Sequence, residues 1–185
     1  MTTALALIPA ETGDAHLGDN IQAADLGIDA HTDVEALCLC ALLWAPTAAA
    51  RTAVAVLETA DFQQPIHQEL YAATAALIGS GAPHDPTMVA AALEQAGKLA
   101  GHHGRQRSRH LTTVTTRGAD HIALDYYVRA VLAQAYRRSF VDAAQSLAQA
   151  AQHLPEDQLF EHLLTIGRQQ RTATERLRNL GRTGQ

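Results

Sequence analysis

At 185 residues, with 47% apolar residues and a formal net charge of −5, the chain is long enough for one domain, or one domain with an appendage. Its two cysteines, Cys38 and Cys40, stand two apart in a predicted helix, which excludes a disulfide framework and a zinc knuckle. We interpret them as small apolar core residues in a reducing cytoplasm. No apolar run approaches the length of a membrane span, and the N-terminus lacks the basic region of a signal peptide, so we expect a cytoplasmic protein.

The charges are unevenly distributed along the chain. Arg51 is the only lysine or arginine before Lys98, whereas acidic residues recur from Glu11 to Asp33. Residues 1–30 are rich in Gly, Ala and Asp without a period, and we expect a disordered acidic arm.

The first predicted helix begins with the capping-box pattern of Thr32 and Glu35 and ends before Pro46. Apolar residues occupy nearly all of its sides, which places this helix in the centre of a bundle. A second helix, rich in alanine and valine, is predicted from Ala48 to Thr59.

Two further helices are predicted to begin at prolines, because a first-turn proline sacrifices no helical hydrogen bond. One runs from Pro65 to Ile78, and the other runs from Pro86 to Gly97 with the Asp85 carboxylate as its cap. The buried stripe of the first is predicted to consist of Ile66, Leu70, Ala73 and Leu77.

The second half of the chain contains a polar segment and a long periodic one. Residues 101–110 are polar and without a period, so we expect a loop; residues 111–116 fit either a short helix or an extended piece. From about Ala119 to Leu154 the apolar residues keep helical spacing. Pro155 then separates this helix from another, which predicts a helical hairpin.

The predicted fold is all-α, with a compact multi-helix head followed by a long C-terminal helical hairpin. We divide the chain into the arm (1–30), the head (31–117), a hairpin for self-association (118–180) and a tail (181–185). A hairpin with a long apolar seam needs another helix pair to bury its second face. The predicted interface residues are Tyr127, Val131, Leu132, Tyr136, Phe140, Phe160 and Leu163. Replacing Leu132 or Leu163 by Asp is expected to dissolve the oligomer without loss of helicity.

The sequence contains no P-loop, nucleophile elbow or His-Glu-x-x-His motif, and we predict no catalytic, cofactor-binding or metal-binding residue. His67 has no identifiable nucleophile or acid beside it, so a structural role is favoured over that of a base. Histidines in the polar segment are more often solvated than metal-bound. They are His102, His103 and His110. Arginines in the same segment suit either DNA phosphates or ordinary solvation. They are Arg105, Arg107 and Arg109.

Several short blocks, in a characteristic order between about Asp33 and Arg138, carry a resemblance. The residues involved are Glu35, Asp61, Phe62, Pro65, His67, Tyr71, Asp85, Pro86, Tyr126, Arg129 and Arg138. Together they resemble the N-terminal domain of DnaB-type bacterial replicative helicases, with weaker likeness to about Leu177. The resemblance implies an all-α domain that pairs through its hairpin, forms a collar of three pairs over the motor ring and receives the primase.

Two departures from this family are visible. A His- and Arg-rich stretch ending at His110 and Leu111 replaces the family's Gly-Gly-x-x-aromatic-Leu block. The RecA-like motor with its Walker motif is absent, so we expect no ATP hydrolysis by the family's route and either an excised domain or a stand-alone relative.

Three hypotheses follow from the residues and the resemblance. The first is a non-enzymatic replication module without a cofactor, which forms a dimer or higher homo-oligomer and contacts a replicative helicase, primase or helicase loader. The alternative is an Arg-mediated DNA-binding helical protein. The third is an enzyme or metal site built on His67 or on the histidines of the polar segment.

Overall fold

The computed structural model describes residues 34–183, which form seven α-helices with two short 3-10 turns between them. The helices are α1 (34–44), α2 (Thr47–Val54), α3 (Pro65–Ser80), α4 (Pro86–Gln95), α5 (Gly101–Thr115), α6 (Leu124–His153) and α7 (Glu156–Thr183). This part of the chain contains no strand, which confirms the all-α prediction. The predicted acidic arm and the Thr32 cap lie outside the described residues, as do the last two residues of the predicted tail. Within the described range, no helix combines the length and the apolar character needed to span a bilayer.

Helix α1 lies in the centre of the head, as its apolar composition predicted. The six consecutive residues from Cys38 to Leu43 are each at most 4% exposed, so the helix is buried on every side along this stretch. Both cysteines are free thiols in this core. Burial raises the pKa of the Cys38 thiol, which keeps it protonated and unreactive.

Helix α3 begins at Pro65 as predicted, but its buried stripe is different from the one we expected. The stripe consists of His67, Leu70, Tyr71, Thr74 and Ile78. The prediction from apolar residues alone was wrong because three of these buried side chains are polar and find internal acceptors. The Tyr71 hydroxyl donates to the Leu57 carbonyl at 2.7 Å, and Thr74 donates to the Leu70 carbonyl at 2.8 Å. Gly81, with a left-handed φ of 76°, ends the helix.

Helices α2 and α4 are shorter than predicted. After Val54 the chain turns into a 3-10 segment at Thr59–Asp61, where the Asp61 carboxylate accepts the Glu58 N–H at 2.7 Å. At α4 the predicted Asp85 cap is confirmed, since its carboxylate accepts the N–H groups of Thr87 and Met88.

Residues 101–110 form most of helix α5, so the prediction of a loop was wrong. Tertiary contacts hold this polar segment in helical form. Gly104 lies directly against the Leu99 backbone, where a Cβ would come within 2.0 Å of the carbonyl carbon. Leu111 and Val114 reach the core, and Arg107 pairs with Glu69 of α3. The segment of residues 111–116, which was left open, continues the helix to Thr115.

Helices α6 and α7 form the predicted antiparallel hairpin, joined at Pro155. The first turns of α6 belong to the core of the head, through Leu124, Val128, Val131 and Leu132. Beyond Leu132, Ala150 and Ile166 are the only apolar residues described as buried. The hairpin therefore has a rooted base and an outer half with few buried apolar side chains.

Candidate interaction surface

The Glu35 carboxylate forms a buried junction between α1, the start of α3 and the hairpin. It is 2% exposed and accepts the Gln63 N–H at 2.6 Å and the His67 ring at Nδ1 at 2.8 Å. Arg138 of α6 lies 3.6 Å away and also donates to the Asp61 carbonyl. Glu35 therefore caps α3 across the fold. Burial raises the pKa of the Glu35 carboxyl, but the hydrogen bonds from His67 and the backbone outweigh it, so the pKa lies below its usual value.

A second histidine lies beside this junction. The rings of His67 and His110 are 4.9 Å apart between centroids, and the Nε2 atoms of both are buried without a hydrogen-bond partner. Burial lowers the pKa of His110, and the charges of His67 and Arg117 lower it further. His67 is thus a structural residue with a carboxylate partner rather than a base facing a substrate.

Asp61 anchors the base of α7 to the head. Its carboxylate is 2.7 Å from the Arg176 guanidinium, which also donates to the Val56 carbonyl at 3.0 Å. Glu58 lies 3.4 Å from the same arginine. Burial alone lowers the pKa of Arg176, but the bond to Asp61 dominates and the pKa is raised. Two arginines, one on each hairpin helix, therefore hold the hairpin in a fixed position on the head.

Polar contacts line the seam between the two hairpin helices. Tyr136 meets Thr174 at 3.1 Å, and the Ser139 hydroxyl donates to the Gln170 side chain at 3.0 Å. Nearer the turn, Ser146 lies 3.0 Å from the His162 ring. These hydrogen bonds fix the register of the helices without using the larger apolar side chains of the outer half.

Those apolar side chains lie on the outside of the hairpin. We call the following set the outer patch: Phe140 (48% exposed), Val141 (58%), Phe160 (65%) and Leu163 (47%). The Phe140 ring packs edge-on against Tyr136, with centroids 5.0 Å apart, which orients it. Ala144 and Leu147 follow Phe140 at helical spacing, so the apolar side of α6 continues towards the turn.

The structure corrects part of the predicted interface. Val131 and Leu132 are 0% and 4% exposed, because the head uses the first turns of α6 for its own core. They are not available to a second copy, and Leu132→Asp would unfold the head rather than test association. Tyr127 and Tyr136 are partly buried. Phe140, Phe160 and Leu163 are exposed, and their role in an interface stays a prediction.

The remaining residues of the resemblance fall into two groups. Phe62 and Tyr71 stack in the core with ring centroids 4.8 Å apart, and Pro65, Asp85 and Pro86 begin helices. Tyr126 is 76% exposed and Arg129 is partly exposed. Most of these residues thus build the head, and only Tyr126 and Arg129 are accessible from solvent.

The polar residues of α5 are also separated by the fold. Arg107 bonds to Glu69 and to the Lys98 carbonyl, whereas the Arg105 and Arg109 side chains extend into solvent. His102 and His103 are exposed. Among residues 34–183, no three His, Cys, Asp or Glu side chains are arranged to hold a metal ion.

Sequence reasoning missed the two arginine anchors. Arg176 was only one of several late arginines, and its partner Asp61 lies 115 positions earlier in the chain. Arg138 was noted as a family residue without its contacts to Glu35 and Asp61. Pairs so distant in sequence leave no local pattern.

Comparison with known proteins agrees with this geometry. The family model of the DnaB-like helicase N-terminal domain matches residues 29–133, more than half of the chain. The crystal structure of the N-terminal domain of DnaB helicase from Mycobacterium tuberculosis superimposes with a TM-score of 0.63 at 25% identity, covering 73% of this chain and 94% of that one. No curated protein sequence matches the chain. The family match and the shared architecture show that this chain belongs to the family of DnaB-like helicase N-terminal domains.

Proposed function

We propose that the chain is a non-enzymatic module of DNA replication that self-associates through the outer half of its hairpin. The observation that supports this most is the outer patch, in which two phenylalanines and two aliphatic side chains are about half exposed or more. Burying apolar surface contributes about 25 cal/mol per Å². Clustered exposed apolar side chains on a rigid support are typical of association sites.

The surroundings of the outer patch favour another helix pair as its cover. Ala144 and Ala148 on α6 are small and exposed, and Gly167 on α7 has open space where a Cβ would be. Small residues beside larger apolar ones let a second helix approach closely. A second copy of the hairpin has the matching composition, so we expect a dimer or a higher homo-oligomer. This division of labour also supports the proposed boundary between head and hairpin.

The proposed partners are a replicative helicase, a primase or a helicase loader, in the cytoplasm. Membership of the helicase N-terminal domain family supports this choice. The match covers the N-terminal domain, and we propose that the chain has no ATPase activity of its own.

The partner role can be tested with purified proteins. We would immobilise the chain and measure binding of the replicative helicase, primase and loader from the same cell, alongside ATP hydrolysis by the chain alone. We expect binding of at least one partner and no hydrolysis. Phe160→Glu should weaken a partner that docks on the outer patch, whereas Gln169→Glu introduces the same charge at an exposed polar position of α7. Failure to bind any of the three would contradict the partner role.

DNA binding is a second candidate, favoured by the exposed side chains of Arg105 and Arg109 on α5. Binding through phosphates would weaken steeply as salt is raised. Labelled single- and double-stranded oligonucleotides at low salt provide the test, and no retention of either would exclude this function.

A further inference from the structure

The charges of this chain are segregated into an acidic and a basic segment. Residues 1–33 contain six acidic residues and neither lysine nor arginine. They are Glu11, Asp14, Asp19, Asp25, Asp29 and Asp33. Residues 98–118 contain five basic residues and no acidic one. They are Lys98, Arg105, Arg107, Arg109 and Arg117. Elsewhere acidic residues are present as well, so the second segment is a concentrated positive stretch in a chain of net charge −5.

The exposed side of α5 carries charge that the described part of the chain does not compensate. Arg105 and Arg109 stand one turn apart, and neither side chain forms an ion pair or a hydrogen bond within residues 34–183. Like charges at this spacing disfavour a helix. Arg107, between them, is held by Glu69 on the other side. The fold thus displays two arginines at a cost to helix stability.

The acidic segment joins the fold close to this helix. The first described residue, Val34, precedes Glu35, which bonds to His67. The His67 ring lies against His110 of α5, the neighbour of Arg109. A chain of 33 residues spans up to about 110 Å when extended, whereas α5 is about 22 Å long. The acidic residues are therefore tethered within easy reach of the exposed arginines.

We infer that the acidic segment of residues 1–33 binds the Arg105 and Arg109 face of α5 in the same molecule and covers it. Tethering gives the segment an effective concentration in the millimolar range, so several weak ion pairs suffice for contact. A nucleic acid in solution would have to compete with this segment and approach a chain of net negative charge. These two facts favour the chain's own acidic segment as the occupant over DNA.

The contact can be measured in the full chain by paramagnetic relaxation. Cys38 and Cys40 are buried, so an Ala15→Cys variant can be spin-labelled selectively in the folded protein. We expect the label to broaden the amide signals of α5 more than those around the hairpin turn at Pro155. The effect should disappear in about 1 M salt, where the Debye length falls to about 3 Å.

Charge variants separate the inference from general attraction. Arg105→Glu with Arg109→Glu should abolish the broadening of α5, while Arg168→Glu with Arg171→Glu on α7 should leave it unchanged. Asp25→Asn with Asp29→Asn should weaken it without touching the described fold, and circular dichroism checks that every variant is folded. Broadening that survives the α5 reversal would overturn the inference. So would broadening seen only between labelled and unlabelled copies, or α5 signals that respond to a single-stranded oligonucleotide but not to the label.

Discussion

The head and the outer half of the hairpin are both helical, but different interactions stabilise them. In the head, helix α1 is enclosed on every side, and its only charged residue in the core, Glu35, is matched by three partners. In the outer hairpin the helices are joined by polar contacts such as that between Ser139 and Gln170. The larger apolar side chains there, including Phe160 at 65% exposure, lie outside.

The difference shows which residues fold the chain and which are available to other molecules. Apolar residues in the head are needed for its stability, so changing them alters folding first. Those of the outer patch contribute little to the fold of a single chain, so changing them should alter association instead. The anchors at Arg138 and Arg176 keep these two regions in a fixed relation.

The largest expected effect comes from removing the buried junction. Glu35→Ala leaves the Gln63 N–H and the His67 ring without an acceptor, and it unpairs Arg138. We expect a loss of about 3–5 kcal/mol in the free energy of unfolding, measured by urea denaturation. Glu94→Ala, at an exposed position of α4, is the control and should change stability by less than about 0.5 kcal/mol. Equal effects of the two variants would refute the proposed importance of the junction.

A matched pair of truncations compares the two regions directly. Leu132→Ala creates a cavity in the head core and should cost about 2–4 kcal/mol. Phe160→Ala removes a larger but exposed side chain and should cost less than about 0.5 kcal/mol at concentrations where the chain is monomeric. Denaturation of both variants under one set of conditions provides the comparison. A larger loss for Phe160→Ala would mean that the outer hairpin folds on its own patch.

The smallest effect concerns pH. The pKa of His110 in the folded state is lowered, so the unfolded state takes up this proton more readily. Stability should therefore fall as pH drops below about 6.5, the usual histidine value, until it passes the folded pKa. His110→Gln should reduce the loss between neutral and mildly acidic pH. The control His102→Gln removes an exposed imidazole from the same helix and should have the smaller effect. If His102→Gln had the larger one, burial of His110 would not be the cause.

Local signals predicted the beginnings of α3 and α4, because Pro65, Asp85 and Pro86 act within one turn of the chain. They did not predict α5, since its helical form depends on Glu69 of another helix and on the approach of Gly104 to Leu99.

The candidate surface was predicted in part for a related reason. Periodicity identified an apolar seam along α6, but it could not show that the head consumes Val131 and Leu132 and leaves Phe140 outside. The role of Glu35 was likewise beyond a local pattern. It matches a capping box in sequence, whereas its hydrogen-bond partners include Gln63, 28 residues away.

The most direct test of the account is the mass of the protein in solution, because the central proposal is that a second copy covers the outer patch. Analytical ultracentrifugation over a concentration series should give a multiple of 19.8 kDa for the natural chain and for Gln169→Glu. The double variant Phe140→Glu with Phe160→Glu should sediment as a folded monomer. A natural chain that stays at 19.8 kDa at every concentration, or a double variant that associates unchanged, would contradict the proposal.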